Sequence, residues 1–584
     1  PGVKTESGYT ESWVNPPRDD VEKEKFKESR LAPLVSMGDD GKLVYKPYSS
    51  KGDRILDFST CGYMRSEVPI PDVPVVKTLT PPEGKARSTD NMNYRVGPDS
   101  YQDVQAALDE AAAMKPDEHG LRGAVVLQKG TWYFSNTLHV TSGVVLRGEG
   151  DDEDGTVLIF TFPEGGDVAI QLGGAKPNSV PEYPKIAGTL SKQTGADGET
   201  RYILTLDDGY WFVVKDPKFK PELKLEPFVG SKVILTMKAV PATSDLKHNM
   251  PYEAQRVEDG QEIPPLNPHL KLPELPFGMA NTAESLIADD HVPSGSSTLT
   301  LEDASGFAAG DSVTVYKTTN WEWIDQLGLG ERIRHIRGGK QGASKTPWTP
   351  QTYTHPRKIT AINGNTITLD VNLPQSIDQE FGGGYVRQTK PSIDHSQCGL
   401  ENLRIVSNYD ETKSGNGKGT NYANLWNGIR LLCRDGWTRN CTVMHVVKSA
   451  VDINGRFCTV REVKSLQPVG PKAGGRRYAF NLSDNGMGNL CYKCYSEDSR
   501  HDFVAGARVM GPNVFLKCTA YKGGQSEPHH RWSTGILYDN ITMKEGGSLA
   551  AINRGDSGTG HGWAGANIVF WNCAAKGIVV FDPE

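Results

Sequence analysis

Between residues 454 and 563 the chain sets charged, proton-carrying and flat aromatic side chains at a recurring spacing. Asn454, Arg477, Arg508, Arg531 and Arg554 follow one another at sequence intervals of 23, 31, 23 and 23. Arginine offers a planar fork that matches a carboxylate or a sulfate. Several guanidinium groups brought close together repel one another unless anions lie between them. If that spacing is one turn of a repeating structure, the arginines form a column suited to an acidic polymer. A plainer account pairs each arginine with a local acid, such as Asp484, Glu497, Asp502, Glu527 or Asp556, to prop up turns. His501, His529, His530 and His561 are four of only 13 histidines and fall in the same stretch. Histidine is the side chain most easily tuned to take or give a proton near neutral pH. Trp532 and Trp563 sit in glycine-rich turns, where flat aromatics either stack on the apolar faces of sugars or close the end of a turn.

A repeat that would position these groups can be counted. Seven segments place an apolar residue or a cysteine after two mostly polar residues. These anchors are Leu403, Cys441, Val463, Cys494, Cys518, Ile541 and Cys573, at successive sequence intervals of 38, 22, 31, 24, 23 and 32. A basic turn of roughly 22–24 residues, lengthened where a loop is inserted, accounts for every interval. The column follows the anchors at a nearly constant offset: Cys441 leads to Asn454, Val463 to Arg477, Cys494 to Arg508, Cys518 to Arg531 and Ile541 to Arg554. Four anchors are cysteines, and stacked on successive turns they form an inward row of small apolar side chains. Cys491 and Cys494 suggest a metal pair, but residues three apart on a strand point to opposite faces, and no further ligand set completes a zinc site. Core packing is therefore expected, and no metal centre.

Upstream, Tyr101 to Met114 reads as a helix with Val104, Ala107, Leu108, Ala111 and Ala112 on one face and Asp99 or Ser100 at its start. Then Ala124–Leu127, Thr137–Val140 and Val144–Leu146 form three short β runs parted by tight turns. A helix followed by Gly-x-Val, Gly-x-Trp-Tyr and Val-x-Leu-x-Gly-x-Gly resembles the cap and first rung of the pectate-lyase-like superfamily. That resemblance implies a right-handed parallel β-helix, all-β, with the helix covering the open end, where strand edges would otherwise be bare.

The length of 584 residues allows several domains or one long array. With 63 glycines and 37 prolines the composition is turn-rich and argues against a helical bundle. Residues 1–97 read as an N-terminal arm, with short strands near Leu56–Phe58 and Val73–Lys77. Residues 98–174 carry the cap and first rungs. From 175 to 397 the period is lost to Pro-rich links and alternating β runs, including Arg201–Leu206, Lys232–Met237, Ser297–Leu301, Val313–Lys317 and Thr366–Val371, read as one or two β-rich insertions. Residues 398–584 return to the main rungs. The last segment, Gly577 to Glu584, reads as another strand, so the expectation is a chain that continues or an edge that another segment covers. A net charge of −7 excludes a global nucleic-acid footprint, and no apolar run is long enough to span a membrane. Any anion is met by a local basic cluster.

For such solenoids the resemblance implies action on polysaccharides. β-Elimination next to a uronate needs a positive group at the carboxylate, a base for the C5 proton and an acid for the leaving oxygen. Arg508, Arg531 and Arg554 suit the first role, His530 or His501 the second, and His561 or Tyr478 the third. Arg477, Arg554, Trp532, Trp563 and Asn454 complete the expected substrate contacts. The calcium-dependent members of the superfamily hold the ion with clustered carboxylates. The late rungs lack such a run, so no cofactor is expected and calcium is disfavoured. The alternatives are a glycoside hydrolase using paired carboxylates (Asp502 with Asp484, or Glu527 with Asp556), a non-catalytic carbohydrate-binding solenoid and, more remotely, an epimerase. An acidic polysaccharide substrate implies secreted, cell-surface or periplasmic surroundings. Trp321, Trp323, Trp348 and His355 in the insertion are further candidates to reach the substrate.

Overall fold

The computed structural model describes residues 34–581 apart from 84–86, 89–94, 162–165, 175–184, 195–199, 208–210, 215–222, 238–250, 259–282, 330–347, 390–394, 410–424, 484, 556 and 559. The chain winds as a right-handed parallel β-helix. One wall is a nine-stranded parallel sheet whose strands, in chain order, are β1 (Leu138–Val140), β2 (Gly166–Gly173), β3 (Leu425–Leu432), β4 (Ser449–Ile453), β5 (Tyr478–Leu482), β6 (His501–Ala507), β7 (Gln525–His530), β8 (Ser548–Ala551) and β9 (Ile578–Val580). A second parallel sheet supplies the other walls, running from Val75–Leu79 through Trp437–Met444 to Gly565–Trp571.

The repeat seen in the sequence is a corner. Asn402, Asn440, Glu462, Lys493, Lys517, Asn540 and Asn572 each precede an anchor, and all have φ between 50° and 55°. A single left-handed residue turns the strand through the corner and faces solvent, and the next side chain falls inside. Asn tolerates that backbone better than most residues, and four of the seven are Asn. The anchors pair rung to rung. Leu403, Cys441 and Val463 are in register, and Tyr495 and Thr519 follow Cys494 and Cys518 in the same alignment. Cys441, Cys494 and Cys518 are fully buried in the main core and Cys573 packs against it, all as free thiols. Burial pushes the Cys441 thiol up to about 12, so these are packing groups.

The helix α1 (Tyr101–Ala113) places Val104, Ala107, Leu108 and Ala111 on the first rungs. Gln105 on α1 both donates to the His139 carbonyl at 3.1 Å and accepts from its N–H at 2.9 Å. The cap thus satisfies the backbone of the edge strand β1, which would otherwise offer unpaired groups. Ser100, at the helix start, makes no capping bond through its side chain. In the arm, Leu56–Phe58 is not a strand, and the predicted run at 73–77 is observed at Val75–Leu79, hydrogen-bonded to Gly123–Leu127.

The excursion between β2 and Gly399 holds two larger antiparallel sheets, each over its own apolar cluster, and a two-stranded one that pairs His291–Val292 with Ile377–Asp378. One has five strands between Lys185 and Arg256, and the other six between Glu284 and Gln388. The hairpin predicted around Gly364 joins Thr352–Asn363 to Thr366–Leu369. The ladder itself is uninterrupted, because β2 pairs directly with β3. Among the described residues no helix is long and apolar enough to cross a membrane.

Candidate functional site

Strand alternation sends every second residue of the nine-stranded wall outward. Arg430, Asp452, Asn481, Val504 and Glu527 align on consecutive strands β3 to β7 as one outward row. Near the start of these strands the alternation slips. Ala479 and Phe480 both enter the core, as do Ala450 and Val451 on β4. The slip turns Tyr478 and His501, which are register partners on β5 and β6, to the outer face beside Glu527 and His529 of β7.

The result is a compact chain of groups. His529 Nδ1 lies 2.8 Å from Glu527 Oε1, and His529 Nε2 lies 3.0 Å from the Tyr478 hydroxyl. Arg554 Nη1 lies 2.9 Å from the same Glu527 oxygen. It also approaches both ring nitrogens of His529, at 2.7 and 3.2 Å. An atom close to both nitrogens of one imidazole lies across the ring and takes neither in-plane position. The in-plane partners are then Glu527 and Tyr478. The tautomer that satisfies them donates Nδ1–H to Glu527 and accepts the Tyr478 hydroxyl proton at Nε2. Arg500 Nη1 sits 3.3 Å from the Tyr478 oxygen and also donates to the Gly474 carbonyl. His501 donates Nδ1–H to the Gln525 carbonyl at 2.7 Å, which leaves Nε2 buried and, among the described residues, without a partner. His530 and His561 stack edge-on, 4.8 Å apart, with His529 5.1 Å from each.

Glu527 is fully buried, and His501, His529 and Tyr478 are 4%, 5% and 8% exposed. Burial disfavours the imidazolium and is the largest cause of each histidine shift. It pushes His501 down to about 3 and His529 to about 2, the latter helped by Arg554. His530 falls to about 4 and His561 to about 3. All four rings are neutral at pH 7. Burial also raises the Tyr478 hydroxyl, against the pull of Arg500 and Arg554, so it keeps its proton.

His501, Glu527 and His529 offer ligand atoms within 4.8 Å of one another. The donor set contains one carboxylate, a poor match to calcium, which takes six to eight oxygens. The Arg554 guanidinium already supplies the positive charge that Glu527 and His529 face.

The arginine column divides. Ala507 pairs with His530, so Arg508 and Arg531 are neighbours at the far end of β6 and β7, with φ of 56° and 60°. Arg554 reaches back from the next rung. Arg477 is a correction. It precedes β5 and aligns with Arg500 at the opposite end of the wall, bound to Asp498 at 2.6 Å. The loop between anchor and strand differs in length from rung to rung, so a constant count from the anchor hides which end of the strand is reached. Asn454 is a second correction. It follows β4, two positions short of the Arg508 row, and accepts from the Asn485 N–H.

The tryptophans are not open platforms either. Trp532 is buried with Trp323, Trp348 and Tyr353 of the six-stranded insertion, and donates Nε1–H to Gln375 at 2.8 Å. Trp563 packs on the same cluster and donates to the Leu327 carbonyl. His355 is fully buried, leaving Trp321, 53% exposed, as the one candidate of the insertion's four that faces solvent. Of the carboxylate pairs, Asp484 and Asp556 lie outside the described residues. Asp502 turns inward to accept from Ser496, whereas Glu527 faces out. Burial raises the Asp502 carboxyl to about 7. The sequence offered Glu527 as a partner for an arginine or as a carboxylate paired with Asp556, but not as the partner of His529, and gave no role to Arg500. A signal existed, since Tyr478 and His501 are spaced along the chain as Arg508 and Arg531 are, one basic turn apart.

No family model matches the chain, and no curated protein matches it. Among solved structures it is similar to the tailspike protein gp49 from Pseudomonas phage LKA1, at 11% identity over 77% of this chain and 56% of that one, with a TM-score of 0.33. It is also similar to the tailspike gp61 of Pseudomonas phage phi297, at 9% identity over 82% and 67%, with a TM-score of 0.24. A third is the Gp54 tailspike of Acinetobacter baumannii bacteriophage AP22, determined with A. baumannii capsular saccharide, at 8% identity over 82% and 63%, with a TM-score of 0.21. The chain thus spans little more than half the length of the gp49 tailspike.

Proposed function

We propose that this chain cleaves an acidic, uronate-containing polysaccharide by β-elimination; the resemblance of its first rung to the pectate-lyase-like superfamily implies a polysaccharide, and the arginines, histidines and Tyr478 of the wall suit elimination next to a uronate. The observation that carries the reading is the continuous chain Glu527–His529–Tyr478, with spacings of 2.8 and 3.0 Å, set between arginines. The Tyr478 oxygen takes the C5 proton as its own proton passes to His529 Nε2, and Glu527 stabilises the imidazolium through Nδ1–H. The C5–H electron pair becomes the C4–C5 double bond. The C4–O4 bond breaks with its pair on oxygen, O4 takes the proton from Tyr478, and His529 returns the stored proton. Base and acid are then one residue, in place of a base at His530 or His501 and a separate acid at His561 or Tyr478. Arg554 gives the scheme its trigger. In the free chain burial depresses His529 most and Arg554 adds to it; a substrate carboxylate that draws the guanidinium away removes the Arg554 part of that depression as the base is needed. His501 Nε2, a bare acceptor beside Tyr478, is suited to a substrate hydroxyl.

Hydrolysis by paired carboxylates, Asp502 with Asp484 or Glu527 with Asp556, is the second reading; Asp502 turns inward to Ser496, and Glu527 is already held by His529 and Arg554. A panel of acidic polysaccharides separates the two. Elimination yields one unsaturated, ultraviolet-absorbing sugar for each new reducing end. Reducing ends without that absorbance would replace this reading with hydrolysis.

A further inference from the structure

The wall carries positive charge at both ends of the same strands. Arg500 precedes β6 and Arg508 follows it, with the Tyr478–His529 pair between them. Among the described residues Arg508 has no hydrogen-bond or ion-pair partner, and it is exposed. Among the described residues Arg500 binds a carbonyl and a phenol but no carboxylate. Two guanidinium groups left without a carboxylate, one at each end of a strand, are groups kept for an outside anion.

On that basis, which rests on the elimination reading, we propose that the acidic glycan lies along the strands, across the solenoid axis, with one carboxylate at Arg500 and another at Arg508. At the rise of an extended strand the two Cα atoms are about 26 Å apart. One station therefore cannot serve both ends of a short oligomer. The Tyr478 oxygen lies at the Arg500 end of this path, 3.3 Å from that guanidinium, so a ligand long enough to reach both arginines is placed for cleavage near Arg500. Arg531 and His530 flank Arg508 on this path, and Arg508 adds to the depression of His530.

The test measures binding of oligogalacturonates and oligomannuronates, as disaccharides and octasaccharides, to the full chain with Arg500→Gln or Arg508→Asn. Asparagine keeps the left-handed backbone at φ 56°. Each substitution should weaken octasaccharide binding roughly tenfold, and the two together roughly a hundredfold. No disaccharide should lose more than a few-fold to either, since it occupies one station at a time. Octasaccharide binding that responds to Arg508 alone, or disaccharide binding that falls as far as octasaccharide binding, overturns the two-station arrangement and leaves the elimination reading standing. A chain that binds neither length of either acid contradicts both.

Discussion

At the residue scale, the site gathers four histidines that burial keeps from protonating. His501, His529, His530 and His561 are held neutral, with folded values of about 3, 2, 4 and 3. In the unfolded chain each titrates near 6.5. A folded value below the unfolded one contributes stability that is complete above about pH 6.5 and is lost as pH falls toward the folded value. Asp502 has the opposite sign. Burial raises it from 3.8 to about 7, so its contribution is present below its unfolded value and lost as pH rises through 7. Four histidines outweigh one aspartate, and the urea midpoint should fall between pH 7 and pH 5. Asp502→Asn should raise the midpoint more at pH 8 than at pH 5, because only at the higher pH does the wild-type core hold a charged carboxylate. A larger gain at pH 5 would contradict the inward placement of Asp502.

At the scale of the element, the unit that repeats is the corner. Asn440 turns the strand Trp437–Met444 with φ 52°, and its side-chain amide donates to Asn402 on the rung below at 3.0 Å. Asn440→Ala keeps a Cβ in a left-handed backbone that costs about 1–2 kcal/mol but lacks the polar side chain that offsets it in Asn, whereas Asn440→Gly avoids that cost. Urea unfolding should rank wild type and Gly close together, with Ala lower by about 1 kcal/mol. Equal losses for Ala and Gly would show that the Asn402 contact, not the backbone, sets the preference for Asn. The corner is also why the rungs were legible in the sequence. It is a local event, one polar residue followed by one inward residue, so its signature survives loops of any length elsewhere in the turn. The position of a residue along β5 or β6 is not local in that sense. Arg477 was misplaced, and Tyr478 was not joined to His529, because both depend on how much chain each loop adds before the strand begins.

At the scale of the molecule, the insertion and the rungs form one surface. Trp323 and Trp348 reach across to Trp532 and Trp563, and Gln375 holds the Trp532 indole next to Arg531. Sequence spacing placed the two late tryptophans in the right turns but could not show what covers them, because their partners Gln375 and Leu327 belong to the insertion, far earlier in the chain. What the solenoid leaves facing outward is the line from Arg500 past Tyr478 and His529 to Arg508, and the account depends on the Tyr478 hydroxyl being the atom that moves the proton. Tyr478→Phe removes that oxygen from a site where the ring stays packed, and should change stability by no more than about 1 kcal/mol. The deciding measurement is the elimination rate of this variant, with polymer affinity measured on the same preparation. The account predicts a fall in rate of at least about a hundredfold at nearly unchanged affinity, since the group acts in the transition state. A Tyr478→Phe chain that eliminates at the wild-type rate would contradict it.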